Sequence, residues 1–300
     1  MPAKQAPLVV IRGGGDLASG VAHRLWSAGF RAVILELPQP TVIRRAVAFA
    51  EAVYEGRAAV EGVTALLAGS VDEALRTLAQ EMLPVLVDPE GRSIAKLTPM
   101  VLVDAILAKR NLGTRLDQAP LVIGLGPGFT AGLDVHAVVE TRRGHNLGKV
   151  IWDGQAEPDT GIPEPVGGFA AERVVRAPQE GIFRPVAAIG DRVAAGDPVA
   201  YVESAGKVEV QAKISGVLRG ILREGLRVTA GMKVGDIDPR GERSYCFSIS
   251  DKARAIGGGV LEAIVAAQHG LKGVNANGNK GRAPFTGEDQ RSGRAGYHSP

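Results

Sequence analysis

The sequence predicts an α/β chain in two parts, a layered strand–helix domain followed by a small all-β domain. Three observations carry this. Short apolar runs alternate with helical patterns up to Leu125, as in a layered α/β domain. Two glycine loops, Gly13-x-Gly15-x-x-Ala18 and Gly126-x-Gly128-x-x-Ala131, stand at the ends of such runs. An internal repeat, Gly181 matching Gly216 at an offset of 35, fills the later part of the chain.

In order, PLVVIR (7–12) is a short continuous apolar run, consistent with a buried parallel strand. GGGDLASG follows, then a helical pattern through Val21, Leu25 and Trp26 that stops at Gly29. AVILE (32–36) reads as the second strand. Thr41 is placed to cap a helix running to about Glu55, with Gly56 just past its end. Ser70 to Glu81 reads as a helix and PVLVD (84–88) as a strand. Thr98-Pro99, a cap followed by proline at the first helical position, predicts a helix to about Arg110. PLVIGL (120–125), DVHAVVET (134–141) and GKVIWDG (148–154) read as strands, and PDTGIPEPVGG (158–168) as a linker.

The repeat sets GIFRPVAAIGDRVAAGDPVAYV (181–202) against GVLRGILREGLRVTAGMKVGDI (216–237). Gly181/Gly216, Arg184/Arg219, Gly190/Gly225, Val193/Val228, Gly196/Gly231 and Val199/Val234 superpose. Each copy is too small to bury a face alone, which predicts interlocking halves of one small barrel of the biotinyl/lipoyl-like barrel-sandwich type. Lys207 lies near the place where such a module carries its cofactor. The methionines of a biotin site are absent and the spacing is off by one from a lipoyl site, so no covalent biotin or lipoyl group is expected. SISDKARAIGGGVLEAIVAAQ (248–268) reads as a helix or a broken pair of helices. The expected division is a Rossmann-like nucleotide- or cofactor-binding domain over 1–168, the β domain over 169–247, a helical segment over 248–271, and a disordered tail over 272–300 rich in Gly, Asn, Ser and Arg.

Composition narrows the function. The 300 residues are 45% hydrophobic and 22% charged, ordinary globular material. Only 4% are aromatic, too few for a base-stacking platform. The net charge is +3, and the segment from Lys272 onward carries five Lys/Arg against Glu288 and Asp289, so the body up to Leu271 sums to zero. No nucleic-acid partner is expected. The single cysteine, Cys246, excludes an internal disulfide and any multi-cysteine metal site. It could carry sulfur or selenium as a thiolate, although a lone cysteine between Tyr and Phe more often packs. No apolar run approaches the roughly 18 residues of a membrane span, and the first residues lack a leader's apolar core, so a cytoplasmic protein without a membrane partner is expected.

The first glycine loop sits between a strand and a helix, with Glu36 closing the next strand, which is the context of a dinucleotide site. Gly13, Gly14 and Gly15 would let a phosphate approach the backbone at a helix N-terminus, and Glu36 would accept from ribose hydroxyls. Asp16 would repel that phosphate or serve as the helix cap, and Ser19 would bond a ligand oxygen or the backbone. At the second loop a strand follows, so Gly126 and Gly128 would offer a nest of amides without a helix dipole. Arg142, Arg143 and His145 come one strand length later and would meet the anionic end of the same ligand. Arg44 and Arg45 stand near the same sheet edge. The histidines show no metal-site spacing with the cysteine, and no catalytic residue is assigned.

VIRGGGDLASGVAHRLWSAGF, RRAVAFAEAVYEG, VIGLGPGFTAGLDVHAVVETRRGHNLG and ISDKARAIGGGVLEAI together resemble the YqeB-type accessory proteins of selenium-dependent molybdenum hydroxylases, over about residues 7–270. The resemblance implies a maturation protein that binds molybdenum cofactor (molybdopterin), or a nucleotide form of it, while selenium or sulfur is inserted or the cofactor delivered. It also implies partnership with the hydroxylase and with other selenium and molybdenum cofactor maturation proteins. It supplies no catalytic residues and leaves oligomer formation open. Two other readings stand beside it: an NAD(P)-dependent oxidoreductase, supported by the first loop and Glu36, and a non-catalytic scaffold that docks the hydroxylase.

Overall fold

β1 (Leu8–Arg12) opens the chain as an unbroken apolar strand and pairs in parallel with β2 (Arg31–Glu36), the two joined by α1 (Asp16–Ser27). The computed structural model describes residues 6–270; the segment expected to be disordered lies outside them. Two 3-10 turns at 45–47 and 49–51 lead into the short α2 (Ala52–Glu55), where a longer helix is expected. A tight antiparallel pair follows, β3 (Arg57–Val60) and β4 (Val63–Ala68). Next come α3 (Val71–Ala79), capped by the Ser70 hydroxyl, and β5 (Leu83–Val87).

The helix expected from Thr98-Pro99 does not form. A single turn, α4 (Ile94–Leu97), ends before it, with Thr98 at φ +42°. Val101–Asp104 is strand β6, buried between β1 and β7 (Leu121–Leu125). Val-Leu-Val is strand-forming and apolar on both faces, and a central parallel position rewards that more than a local cap signal rewards a helix. β8 (Thr130–Ala131), β9 (Ala137–Val139), β10 (Val150–Ile151) and β11 (Gly154–Gln155) finish this part.

These strands correct the Rossmann-like expectation. They build a nine-stranded mixed sheet, ordered β10-β9-β7-β6-β1-β2-β5-β4-β3, with antiparallel pairs at both edges. A doubly wound fold needs a crossover helix between successive parallel strands. Here only a 3-10 turn separates β6 from β7, and a two-stranded β8–β11 ribbon stands where a helix would leave β7. The helix that covers this end comes from the far end of the chain. α5 (Asp251–Gln268) packs Gly257 and Ala253 against Gly20 of α1 and Gly259 against Gly148. The side chains of β1 alternate between two cores, with Val9 and Ile11 facing α1 and α5, and Val10 facing the α3 side. The Ser250 hydroxyl caps α5 by accepting from the Ala253 amide at 3.1 Å. Ser250→Ala should therefore lower stability by about 1 kcal/mol, read as a shifted denaturant midpoint.

The β module begins with β12 (Val174–Arg176) and runs through β13 (Gly181–Pro185), β14 (Arg192–Val193), β15 (Pro198–Glu203), β16 (Lys207–Gln211), β17 (Gly216–Ile221), β18 (Arg227–Val228) and β19 (Lys233–Asp238). The repeat copies exchange their short strands: β14 of the first pairs with β17 of the second, and β18 of the second with β13 of the first. The barrel-sandwich expectation is corrected in turn. The strands form two separate four-stranded antiparallel sheets, β12-β19-β17-β14 and β16-β15-β13-β18, with no strand pair closing them into a barrel. Phe183, Leu218 and Ile237 lie in the core between them. Lys207 sits at an exposed strand start with its Nζ 3.9 Å from the centre of the Tyr201 ring.

β17 binds the module to the rest of the chain. The Ile221 amide donates to the Ile43 carbonyl at 2.8 Å, and Arg45 Nε donates to the Ile221 carbonyl at 2.8 Å. Gly220 lies against that same Ile43 carbonyl, with no room for a Cβ.

Candidate functional site

The glycines of the first loop are held by protein rather than left open. The Gly13 amide donates to the Leu35 carbonyl at 2.7 Å, and its φ of +96° with Ala105 O in the way admits only glycine. Gly14 donates to Glu36 Oε2 at 2.6 Å, and Leu37 donates to Glu36 Oε1 at 2.7 Å. Glu36 is thus spent on the loop, and burial pushes its carboxyl above the ordinary glutamate value against the pull of those amides. Ser19 Oγ donates to the Gly14 carbonyl at 3.1 Å and accepts from the Phe49 amide at 2.8 Å. Both side chains preform the loop.

The mouth of the loop is different. Gly15 is the N-cap of α1 and supplies no side-chain cap, so the first turn of the helix keeps unsatisfied amides. Asp16 and Leu17 line a cavity of about 520 Å³ there. Asp16 does not cap the helix; its carboxylate accepts from Arg44 Nη1 at 3.2 Å.

The second loop reaches the same cavity through Leu125, Pro127 and Thr141. Its glycines serve packing and turning: Gly126 donates to Val139 O at 2.9 Å and faces Thr141, and Gly128, at φ +109°, abuts the Arg110 backbone. Arg142 and Arg143 line the cavity, each paired with acid. Arg142 Nη1 donates to Glu157 at 2.7 Å, and Arg143 forms a two-pronged bond to Asp251 at 2.6 and 2.8 Å. That fork holds the Asp251 carboxyl well below the ordinary range. His145 is exposed and not among the cavity residues. His136 is tied into the sheet, its Nδ1 accepting from the Val122 amide at 2.9 Å.

The other half of the cavity was not foreseen. The 157–164 linker walls one side, and the β module adds Arg173, Arg176, Arg219 and Lys233, with Lys252 at the start of α5. Nine basic side chains face five carboxylates, a surplus of four positive charges. Arg44 and Arg219 are 6% and 7% exposed, and the Nε of each is buried without a hydrogen-bond partner. Burial first, then neighbouring Arg44, pulls the Arg219 guanidinium below its ordinary value. Desolvation with Arg143 beside it lowers Lys252, and Lys233 is lowered in the same direction although its side chain is 43% exposed. The buried guanidiniums of Arg44 and Arg219 lie in a desolvated, like-charged space, where an anion would relieve them. One signal for Arg219 lay in the repeat, where it matches Arg184.

Cys246 is buried with its thiol 3.9 Å from the Leu218 carbonyl, and burial pushes it up, away from thiolate character. Among the described residues, no group of three or more His, Cys, Asp or Glu side chains is placed to hold a metal ion, and no helix is long and apolar enough to cross a membrane.

No family model matches the chain. Solved structures align weakly with it. An aspartoacylase family protein from Mesorhizobium loti is 12% identical, covering 77% of this chain and 85% of that one, with a TM-score of 0.25. A succinylglutamate desuccinylase/aspartoacylase from Rhodobacter sphaeroides is 15% identical over 78% and 85%, at 0.25. The apo ectoine utilization protein EutE (DoeB) from Ruegeria pomeroyi is 14% identical over 77% and 86%, at 0.26. Scores of this size carry no argument about fold or activity. In sequence, the chain is 54% identical over 269 residues, 90% of its length, to the Escherichia coli K12 protein described as uncharacterized protein YqeB, and covers 49% of that protein. More than half identical over nine-tenths of its length, the chain is similar to YqeB and spans about half the length of that relative.

Proposed function

We propose that the chain holds a phosphate-bearing small molecule in the cationic cavity between the mixed sheet and the β module. On this reading the ligand is molybdenum cofactor or a nucleotide form of it, held while selenium or sulfur is inserted or the cofactor is delivered to a hydroxylase. The observation that carries the reading is the set of unsatisfied donors at one cavity: the open first turn of α1 beside two buried arginine Nε groups. The residues fit such a group on that ground. The surplus of positive charge would draw the phosphate in, and the linker and β module would screen it from water. The pterin and the selenium rest on the resemblance of the four strings quoted above. Glu36 is buried and each of its oxygens already accepts from a loop amide, which disfavours the NAD(P) reading.

Gly15 has φ −64° and, within 4 Å, an added Cβ would meet only Val42 Cγ2, at 3.7 Å, so Gly15→Val should fold while narrowing the mouth of α1. The full chain should bind molybdopterin or its cytidine dinucleotide, more weakly at high salt, and Gly15→Val should bind at least about tenfold more weakly. Native protein without affinity for either compound would end the reading, as would binding confined to NADH.

A further inference from the structure

The two copies of the repeat treat one arginine differently. In the first copy Arg184 sits in regular register opposite Tyr201, half-buried, with its Nε donating to Glu203 at 3.0 Å and its Nη1 to Glu224 at 3.3 Å. The matching residues of the second copy are Arg219 and Asp238, at the same offset of 35. There the register of β17 against β19 slips between Leu218 and Gly220, which places Arg219 on a bulge. A bulge turns a side chain out of the alternation of its strand, and Arg219 lines the cavity. The partner has changed too. Asp238 is taken by Arg240, whose Nε and Nη2 donate to it at 2.9 and 2.6 Å, while Arg219 Nη1 stays 3.5 Å away.

The second guanidinium comes from the other module. Arg44 is anchored through its Nη2 to the Tyr245 and Ser248 carbonyls at 3.0 and 3.1 Å and through its Nη1 to Asp16. Its Nε is left over. Gly220, next to Arg219, docks on the Ile43 carbonyl, next to Arg44, so the contact that joins the modules also brings the two arginines together.

We infer that Arg44 and Arg219 form a binding site for a tetrahedral dianion, either an inorganic oxyanion or the terminal phosphate of a larger ligand. The site deepens the cofactor reading and rests on it only for the larger ligand. It is distinct from the candidates Arg142 and Arg143, which carboxylates already occupy. Two charges are the expected complement, because Arg219 only shares Asp238, at 3.5 Å, with the closer Arg240, and the cavity as a whole keeps a surplus of positive charge.

Calorimetric titration of the full chain tests this with four probes: inorganic phosphate, molybdate, a nucleoside 5′-monophosphate and the same nucleoside without phosphate. Phosphate or molybdate should bind, and Arg219→Gln should weaken binding by about 10- to 100-fold, the loss of charge-assisted hydrogen bonds. Arg184→Gln, at the equivalent position, should bind as the wild type does. Arg219→Lys should fall between, since it keeps the charge and loses the fork. It also keeps the test valid if the glutamine variant melts early. Wild-type protein that takes neither oxyanion, or an Arg219→Gln chain that folds and binds them unchanged, would overturn the inference. Oxyanion binding without gain from an attached nucleoside or pterin would keep the site and remove the cofactor reading. Cofactor binding insensitive to Arg219 would do the opposite.

Discussion

Valine at position 20 should cost about 3 kcal/mol or more of stability, read as a lower urea midpoint at unchanged slope. Gly20 lies inside α1, where glycine is the wrong residue by propensity. Alanine there would gain about 1 kcal/mol on an isolated helix. The packing decides otherwise. A Cβ at Gly20 would stand 2.7 Å from the Cβ of Ala253 and 3.0 Å from its carbonyl oxygen. The second of these is backbone and cannot swing away. A Cβ added to Gly257 would stand 3.0 Å from the Gly20 carbonyl oxygen, so the crossing is built from three small residues. Forcing it apart lifts Ile256, Val260 and Ile264 from the core they share with α1 and β1, at ~25 cal/mol per Å² of apolar surface exposed. Gly258, one residue on, has nothing within 4 Å of its missing Cβ. Gly258→Ala should therefore stabilise the protein by about 0.5–1 kcal/mol. If Gly20→Val melts with the wild type while Gly258→Ala behaves as stated, α5 does not sit on α1 and the sheet is covered by something else.

That helix crossing also marks the limit of what the sequence conveys. The strand runs at 7–12, 32–36, 84–88 and 120–125 are legible because continuous apolar stretches bury on both faces. The fate of 101–104 was not, since a local cap signal at Thr98-Pro99 competes with a demand for a central strand that only the assembled sheet makes. The Rossmann-like expectation failed for a related reason: alternation of strands and helices does not say which helix closes which crossover, and here α5 covers the sheet from the end of the chain. At the site, the first loop was visible as glycine spacing, but its amides go to Glu36 and Leu35, carboxylate and carbonyl partners that no spacing rule announces. Arg142 and Arg143 were visible as a pair, without the acids that occupy them. Arg219 was visible only as a repeat position. What sets it apart from Arg184 is a register slip of one strand, and the two strings align across that slip without a gap.

Asp104→Ala should lower stability by about 3–5 kcal/mol, the range for removing one partner of a buried ion pair. Arg12 at the end of β1 and Asp104 at the end of β6 are 4% and 2% exposed. Thr114 lies between them: its hydroxyl accepts from Arg12 Nη1 at 2.6 Å and donates to Asp104 Oδ2 at 2.5 Å. Asp104 Oδ1 also accepts from the Ile106 amide at 3.1 Å. Removing the carboxylate leaves a buried guanidinium, a hydroxyl and an amide short of a partner at once, each costly in a dry interior. Asp104→Asn keeps one acceptor oxygen, for either the hydroxyl or the amide, and should lose less, about 1.5–3 kcal/mol. Pairing Asp104→Ala with Arg12→Met should cost less than the two changes added, because the second removes the charge that the first strands. The damage should reach the cavity. Ala105 O walls Gly13, and Leu107 and Lys109, held at φ +60° and +61°, line the site a few residues beyond the lost carboxylate. Oxyanion affinity should therefore fall in Asp104→Ala at temperatures where the protein is still folded, though neither residue touches Arg44 or Arg219. A variant within about 1 kcal/mol of the wild type would mean that Arg12 finds water or another acceptor and that the edge of the sheet is not held by this network.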